Sequence, residues 1–171
     1  MNKVVANLLR FLVALLVQIF ICEHIRLFGF ISPVFYLFAL LLLPIELPLV
    51  AQYAIGFCTG LVIDIFTYTL GVNAGACTLI MFIRPYLVKA LNGRKMFEGE
   101  DKLIPGYKDF KWNLLYVLIL TFIHQIYVIL VEAWSFNNFG HQVLNILGNT
   151  LFTVFVIICV EYIIYPAKRK I

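Results

Sequence analysis

The chain has 171 residues, of which 63% are hydrophobic and only 13% charged, with a formal net charge of +4. A soluble domain is about 45–50% apolar, so this excess cannot be buried inside a globule of such size. The composition therefore excludes a water-soluble enzyme or nucleic-acid-binding domain and leaves one polytopic membrane domain, residues 1–171, with no room for a second.

A membrane helix needs about 20 apolar residues, and six stretches qualify, at 4–23, 27–44, 47–70, 72–91, 112–134 and 143–165. The first follows the basic Lys3 and is expected to be a retained span and not a cleaved leader, because Glu23, His24, Ile25 and Arg26 follow it instead of a small-residue cleavage site. The second contains Pro33, and its uninterrupted part from Val34 to Leu43 rises only about 15 Å. A distorted, tilted or partly re-entrant element is expected there. Pro44 and Pro48 bracket a tight turn at Glu46, and Leu70 to Asn73 (LGVN) forms the next turn. The one long polar segment, 92–111, has no apolar periodicity and reads as an exposed loop, and Ser135 to Gln142 joins the last two spans.

Orientation follows from Lys and Arg in short loops. Arg94, Lys95, Lys102, Lys108 and Lys111 lie in the long loop and Lys168, Arg169 and Lys170 in the tail, whereas the turns at 70–73 and 135–142 have none. Six spans with this pattern place the N-terminus, the long loop and the C-terminus in the cytoplasm. Taken from Arg84 to Lys111, the basic stretch has seven Lys/Arg against four Asp/Glu. It is mainly a topology determinant that can touch anionic lipid headgroups, and its mixed signs argue against nucleic acid.

The third span holds a carboxylate, Asp64, in the apolar run GFCTGLVIDIFTYTLGVNAGA from Gly56 to Ala76. A charge at a membrane helix centre costs about 2.5–3.5 kcal/mol on insertion scales, so it must be compensated. Gly56, Gly60 and Asp64 recur every four residues and share a helix stripe, where small residues let a neighbouring helix approach closely. Asp64 is thus expected in a helix–helix contact, with Thr67 and Tyr68 as donors, and a neutral isostere should largely replace it. The competing reading is a proton or ligand site.

Span six carries Asn145, Asn149 and Thr153 on one stripe, which reads as interhelical hydrogen bonding. Span five has His124, Gln125 and Tyr127 near its middle and Glu132 near its end. His124 and Glu132 lie about 12 Å apart along the axis, too far to act on one atom. Arg10 and Glu161 sit at comparable depth in the first and last spans and are a candidate ion pair. Cys22, Cys58, Cys77 and Cys159 show no pairing or metal-ligand spacing, and no catalytic or phosphate-binding motif occurs. No catalytic residue, metal or cofactor is expected.

With these residues in view, the chain resembles the MreD family of rod shape-determining membrane proteins. In that signature G-F-x-x-G-x-x-x-D is followed by a turn glycine and a small-residue helix, matched here by Gly56, Phe57, Gly60, Asp64 and Gly71. The segments LLLPIELP, ACTLIMFIRPYLV (Ala76 to Val88) and IHQIYVILVEAWSF (Ile123 to Phe136) are similar to the Bacteroidota branch, and the likeness covers nearly the whole chain. The resemblance implies a six-helix bundle similar to the substrate-binding membrane subunits of vitamin transporters. It also implies a non-enzymatic scaffold in the bacterial inner membrane that binds MreC, a single-span partner. Through the complex it would connect MreB filaments to the glycosyltransferase and transpeptidase of lateral wall synthesis, and so maintain cell shape. The alternative is a small-molecule-binding subunit of a vitamin-type transporter, whose mark would be a polar cavity lined by residues such as His124, Glu132, Asn145 and Asn149.

Overall fold

The computed structural model describes residues 3–27, 29, 31–45, 47–92, 109–132 and 139–164. Six α-helices follow in order: α1 (Lys3–Phe20), α2 (Tyr36–Leu41), α3 (Leu49–Thr67), α4 (Val72–Asn92), α5 (Phe110–Glu132) and α6 (Phe139–Ile164). A 3₁₀ turn at Cys22–His24 and a single antiparallel bridge between Leu27 and Ile31 interrupt the helices, so the described chain is all-helical. Neighbours in sequence are neighbours in space: α3 packs along α4, α4 along α5 and α5 along α6, while α1 contacts α2 and α3.

Among the described residues, four helices are long and apolar enough to cross a membrane: Leu49–Thr67, Val72–Asn92, Phe110–Glu132 and Gly140–Ile164. Four of the six expected spans are thus present at full length among the described residues. The first helix has 18 residues and ends at Phe20. The second stretch, expected over 27–44, keeps only the six helical residues Tyr36–Leu41, about 9 Å of rise. The long loop beyond Asn92 and the turn before Phe139 fall mostly outside the described residues; their flanks extend the helices, since Phe110 and residues 139–142 are already helical.

The short second element is nevertheless the best-buried part of the molecule. Phe35 through Leu43 are all buried, and Leu37, Leu40 and Leu41 are among the largest fully buried side chains. It also traverses the bundle. Ser32 meets Asn149 of α6, Tyr36 meets Asn73 and His124, and the Leu41 carbonyl meets Arg84 and Tyr116.

A broken crossing must satisfy backbone groups that a continuous helix would pair internally, because lipid offers no water to do so. The first half has unpaired N–H groups, and the surrounding helices supply acceptors: Asn149 Oδ1 for Ser32 (2.8 Å), Thr153 Oγ1 for Val34 (3.0 Å) and Gln18 Oε1 for Phe35 (2.6 Å). The second half has unpaired carbonyls, and the helices supply donors. Arg84 donates to Leu41 and Leu43, Tyr116 to Leu41 (2.9 Å), and Gln52 Nε2 to Leu47 (2.8 Å) and Ile45 (3.3 Å). Acceptors at one end and donors at the other hold the irregular segment at depth.

Arg84 corrects the sequence reading. It was counted with the basic loop, yet it lies inside α4 and is fully buried. Its guanidinium also donates to Tyr116 Oη (2.8 Å) and Gln52 Oε1 (3.0 Å). A planar fork of five donors suits this set of four acceptors as a point charge would not. The cation also faces carbonyls at the C-terminal end of α2, where the helix dipole favours it.

Candidate functional site

Asp64 is 3% exposed, near the C-terminal end of α3. Its carboxylate faces the start of α4. Oδ1 accepts from the Asn73 N–H (3.0 Å), from Asn73 Nδ2 (3.0 Å) and from Thr69 Oγ1, and Oδ2 accepts from the Ala74 N–H (2.9 Å). Two of the four N–H groups that a helix start leaves unpaired are thereby satisfied by an anion placed at the positive end of the dipole. The expected donors differ. Thr67 donates to the Ile63 carbonyl and pairs with Thr69, while Tyr68 turns away, 94% exposed, in a left-handed conformation that ends α3. Ending the helix there brings Thr69, not Thr67, to the carboxylate.

Small residues make this cap possible. A Cβ on Gly60 would stand 2.5 Å from both the Cα and N of Ala74, and one on Gly56 would stand 2.7 Å from Met81 Cγ. Gly71 takes a positive φ of 79° at the turn into α4, a conformation that L residues rarely adopt. Phe57, by contrast, is half exposed and lines an apolar groove between α3 and α4 with Tyr53, Gly75, Thr78 and Phe82.

The Asp64 cap is one end of a relay across four helices. Asn73 Oδ1 accepts from Tyr36 Oη (3.0 Å), and Tyr36 Oη lies 2.8 Å from His124 Nε2. Asp64 on α3, Asn73 on α4, Tyr36 on α2 and His124 on α5 are joined in a single chain of hydrogen bonds.

Beyond Tyr36 and His124 lies a partly open cavity of about 800 Å³. The C-terminal ends of α1, α3 and α5, the first turn of α4 and Asn145 and Asn149 in the N-terminal half of α6 contribute to its wall, so it lies toward one end of the bundle. His124, Glu132, Asn145 and Asn149 all line it, although His124 and Glu132 are far apart along α5. Glu23, His24 and Arg26, from the segment after α1, add polar side chains to the same wall. Gln18 donates to Glu23 (2.9 Å). Asn149 lines the cavity while its Oδ1 is taken by Ser32, so it serves both the wall and the broken crossing.

At the other end of the bundle, Glu161 on α6 is 1% exposed and accepts from Asn113 Nδ2 of α5 (2.5 Å). Arg10, the partner expected from the sequence, is half-buried on α1. All four cysteines are free, Cys22 and Cys77 buried and Cys58 and Cys159 exposed. Among the described residues no group of three or more His, Cys, Asp or Glu is placed to hold a metal ion.

Sequence reasoning missed Arg84, Gln52, Tyr116, Gln18, Tyr36 and Thr69. Their signal was available only as isolated polar residues within apolar runs. Comparison with protein-family models, curated proteins and solved structures gives no match.

Proposed function

We propose that the chain is a scaffold subunit of the bacterial cell-elongation machinery, of the MreD type. It sits in the inner membrane with both termini in the cytoplasm and binds an MreC-type single-span partner. Through that partner it positions wall synthesis, linking MreB filaments to the glycosyltransferase and transpeptidase. One observation carries this reading. Four of the five residues that give the sequence its resemblance also do one structural job: Gly56 and Gly60 admit α4, Gly71 turns the chain into it, and Asp64 caps it. The likeness therefore rests on a coherent local structure and not on apolar composition alone.

The test is depletion of the protein in its native bacterium, with cell shape and the position of new wall followed together. Loss of rod shape with dispersed wall insertion is the expected result. Unchanged shape and insertion would reject the proposal.

A second reading is favoured by a specific observation, the cavity lined by His124, Glu132, Asn145 and Asn149. A vitamin-type transporter subunit would use it to carry its cargo. Depletion would then impair uptake of a small molecule and leave shape intact when that molecule is abundant in the medium.

A further inference from the structure

The last two helices carry buried polar atoms that meet nothing. Thr121 Oγ1 and Gln125 Nε2 on α5 and Thr150 Oγ1 on α6 have no hydrogen-bond partner among the described residues, and each is closed off from solvent and from the cavity. Thr121, Gln125 and Thr150 are themselves buried.

The contact between Asn113 and Glu161 sets the register of this antiparallel pair. From it, the buried positions of α5 recur every four residues through Val117 and Thr121 to Gln125. Those of α6 run back through Ile157 and Val154 to Thr150. Gln125 is about 18 Å of rise from Asn113, and Thr150 is about 16.5 Å from Glu161. The two side chains therefore sit on facing stripes at nearly one depth. A hydroxyl can donate or accept, so Thr150 suits either end of the Gln125 amide. The hydrogen bond that this placement offers is not made. In the same register Thr121 comes opposite Thr153.

We infer that α6 has a second packing on α5, in which Gln125 and Thr150 are hydrogen-bonded, and that the protein exchanges between it and the packing described above. An interhelical hydrogen bond in a membrane favours one packing by about threefold on average, which keeps both populated. A shift of about 1–2 Å, the size of helix movements at switching interfaces, closes such a bond. Asn149 and Thr153, on either side of Thr150, hold Ser32 and Val34 at the start of the broken crossing, and Asn145 and Asn149 line the cavity. Moving α6 therefore shifts one cavity wall and one anchor of the crossing together. Anything that fills the cavity better in one packing selects that packing. The inference rests on the α5–α6 contact and on neither functional reading.

The test uses the full chain in lipid nanodiscs, with the exposed Cys58 and Cys159 changed to alanine. Spin labels are placed through Ile65→Cys on α3 and Leu151→Cys on α6, both exposed positions, and pulsed electron–electron resonance measures the distance between them. Wild type should give two distances. Gln125→Leu and Thr150→Val should each leave only the distance that matches the packing described above. Thr78→Val, whose hydroxyl bonds within its own helix, should leave both. The unlabelled Thr150→Val midpoint should stay within about 4 °C of wild type, because the variant loses a bond in one packing and sheds an unpaired hydroxyl in the other. Four results would each overturn the inference: a single wild-type distance, a seam variant that keeps both distances or loses the expected one, an equal effect of Thr78→Val, or a Thr150→Val midpoint lowered further, which would mean that its hydroxyl is already bonded.

Discussion

The Asp64 carboxylate holds the first turn of the next helix: its Oδ2 lies 2.9 Å from the backbone nitrogen of Ala74, ten residues later. Every group facing the two oxygens is a donor. An amide at position 64 would turn an NH₂ toward one of those donors. Asp64→Asn is therefore less innocuous than the sequence suggested and should cost about 1.5–3 kcal/mol, the range for a hydrogen-bonded charged group. Asp64→Leu should cost more, since it leaves all the donors unpaired and crowds the helix contact. Thermal denaturation in detergent measures both. Equal midpoints for Asn and wild type would show that the cap contributes nothing.

The two stripe glycines are not equivalent. At Gly60 an added methyl meets the backbone of Ala74, whereas at Gly56 the nearest atom, 2.7 Å away, belongs to the flexible Met81 side chain. Gly60→Ala should lower stability by about 1–3 kcal/mol, as overpacking does, and Gly56→Ala by less. Gly140, with nothing within 4 Å of an added Cβ, is the control and should tolerate alanine. A Gly56→Ala loss as large as that of Gly60→Ala would contradict this difference, and unchanged stability in both variants would contradict the α3–α4 contact.

Arg84 holds the end of the broken crossing. Arg84→Lys keeps the charge but cannot reach Tyr116, Gln52, Leu41 and Leu43 together, so it should be strongly destabilising. Tyr116→Phe removes one hydroxyl that both accepts from Arg84 and donates to Leu41, and should cost about 1–3 kcal/mol. Hydrogen exchange of the amides at 41–47 should rise in both variants. Wild-type exchange in Arg84→Lys would remove this residue from the account.

How much of this was readable beforehand differs by residue. Gly60 and Asp64 were legible because a stripe of small residues four apart has a direct geometric meaning on one helix. Pro33 likewise announced an interrupted second element. Arg84 was misplaced because its position near the charged end of a span looked like a topology signal; its partners lie 32 to 43 residues away. Asn149 and Thr153 were read as helix–helix glue, yet they bind the backbone of residues 117 and 119 positions earlier. Sequence spacing along one helix reveals its faces. It does not reveal which irregular backbone will need a side chain from elsewhere.

The orientation can be tested at described positions. With the four native cysteines replaced, Tyr68→Cys in the α3–α4 turn and Asp109→Cys before α5 lie at opposite ends of the bundle. The charge pattern predicts that a membrane-impermeant maleimide added from outside the inner membrane labels position 68 and leaves 109 unlabelled. The reverse pattern would invert the topology.

The most direct measurement for the scaffold role is affinity purification of the chain from its native inner membrane, with everything that accompanies it identified by mass spectrometry. The account predicts recovery of a single-span MreC-type protein with the wild type, and reduced recovery with Gly60→Leu, which forces α3 and α4 apart. Recovery of ATP-hydrolysing transporter subunits, with no such single-span partner, would contradict it.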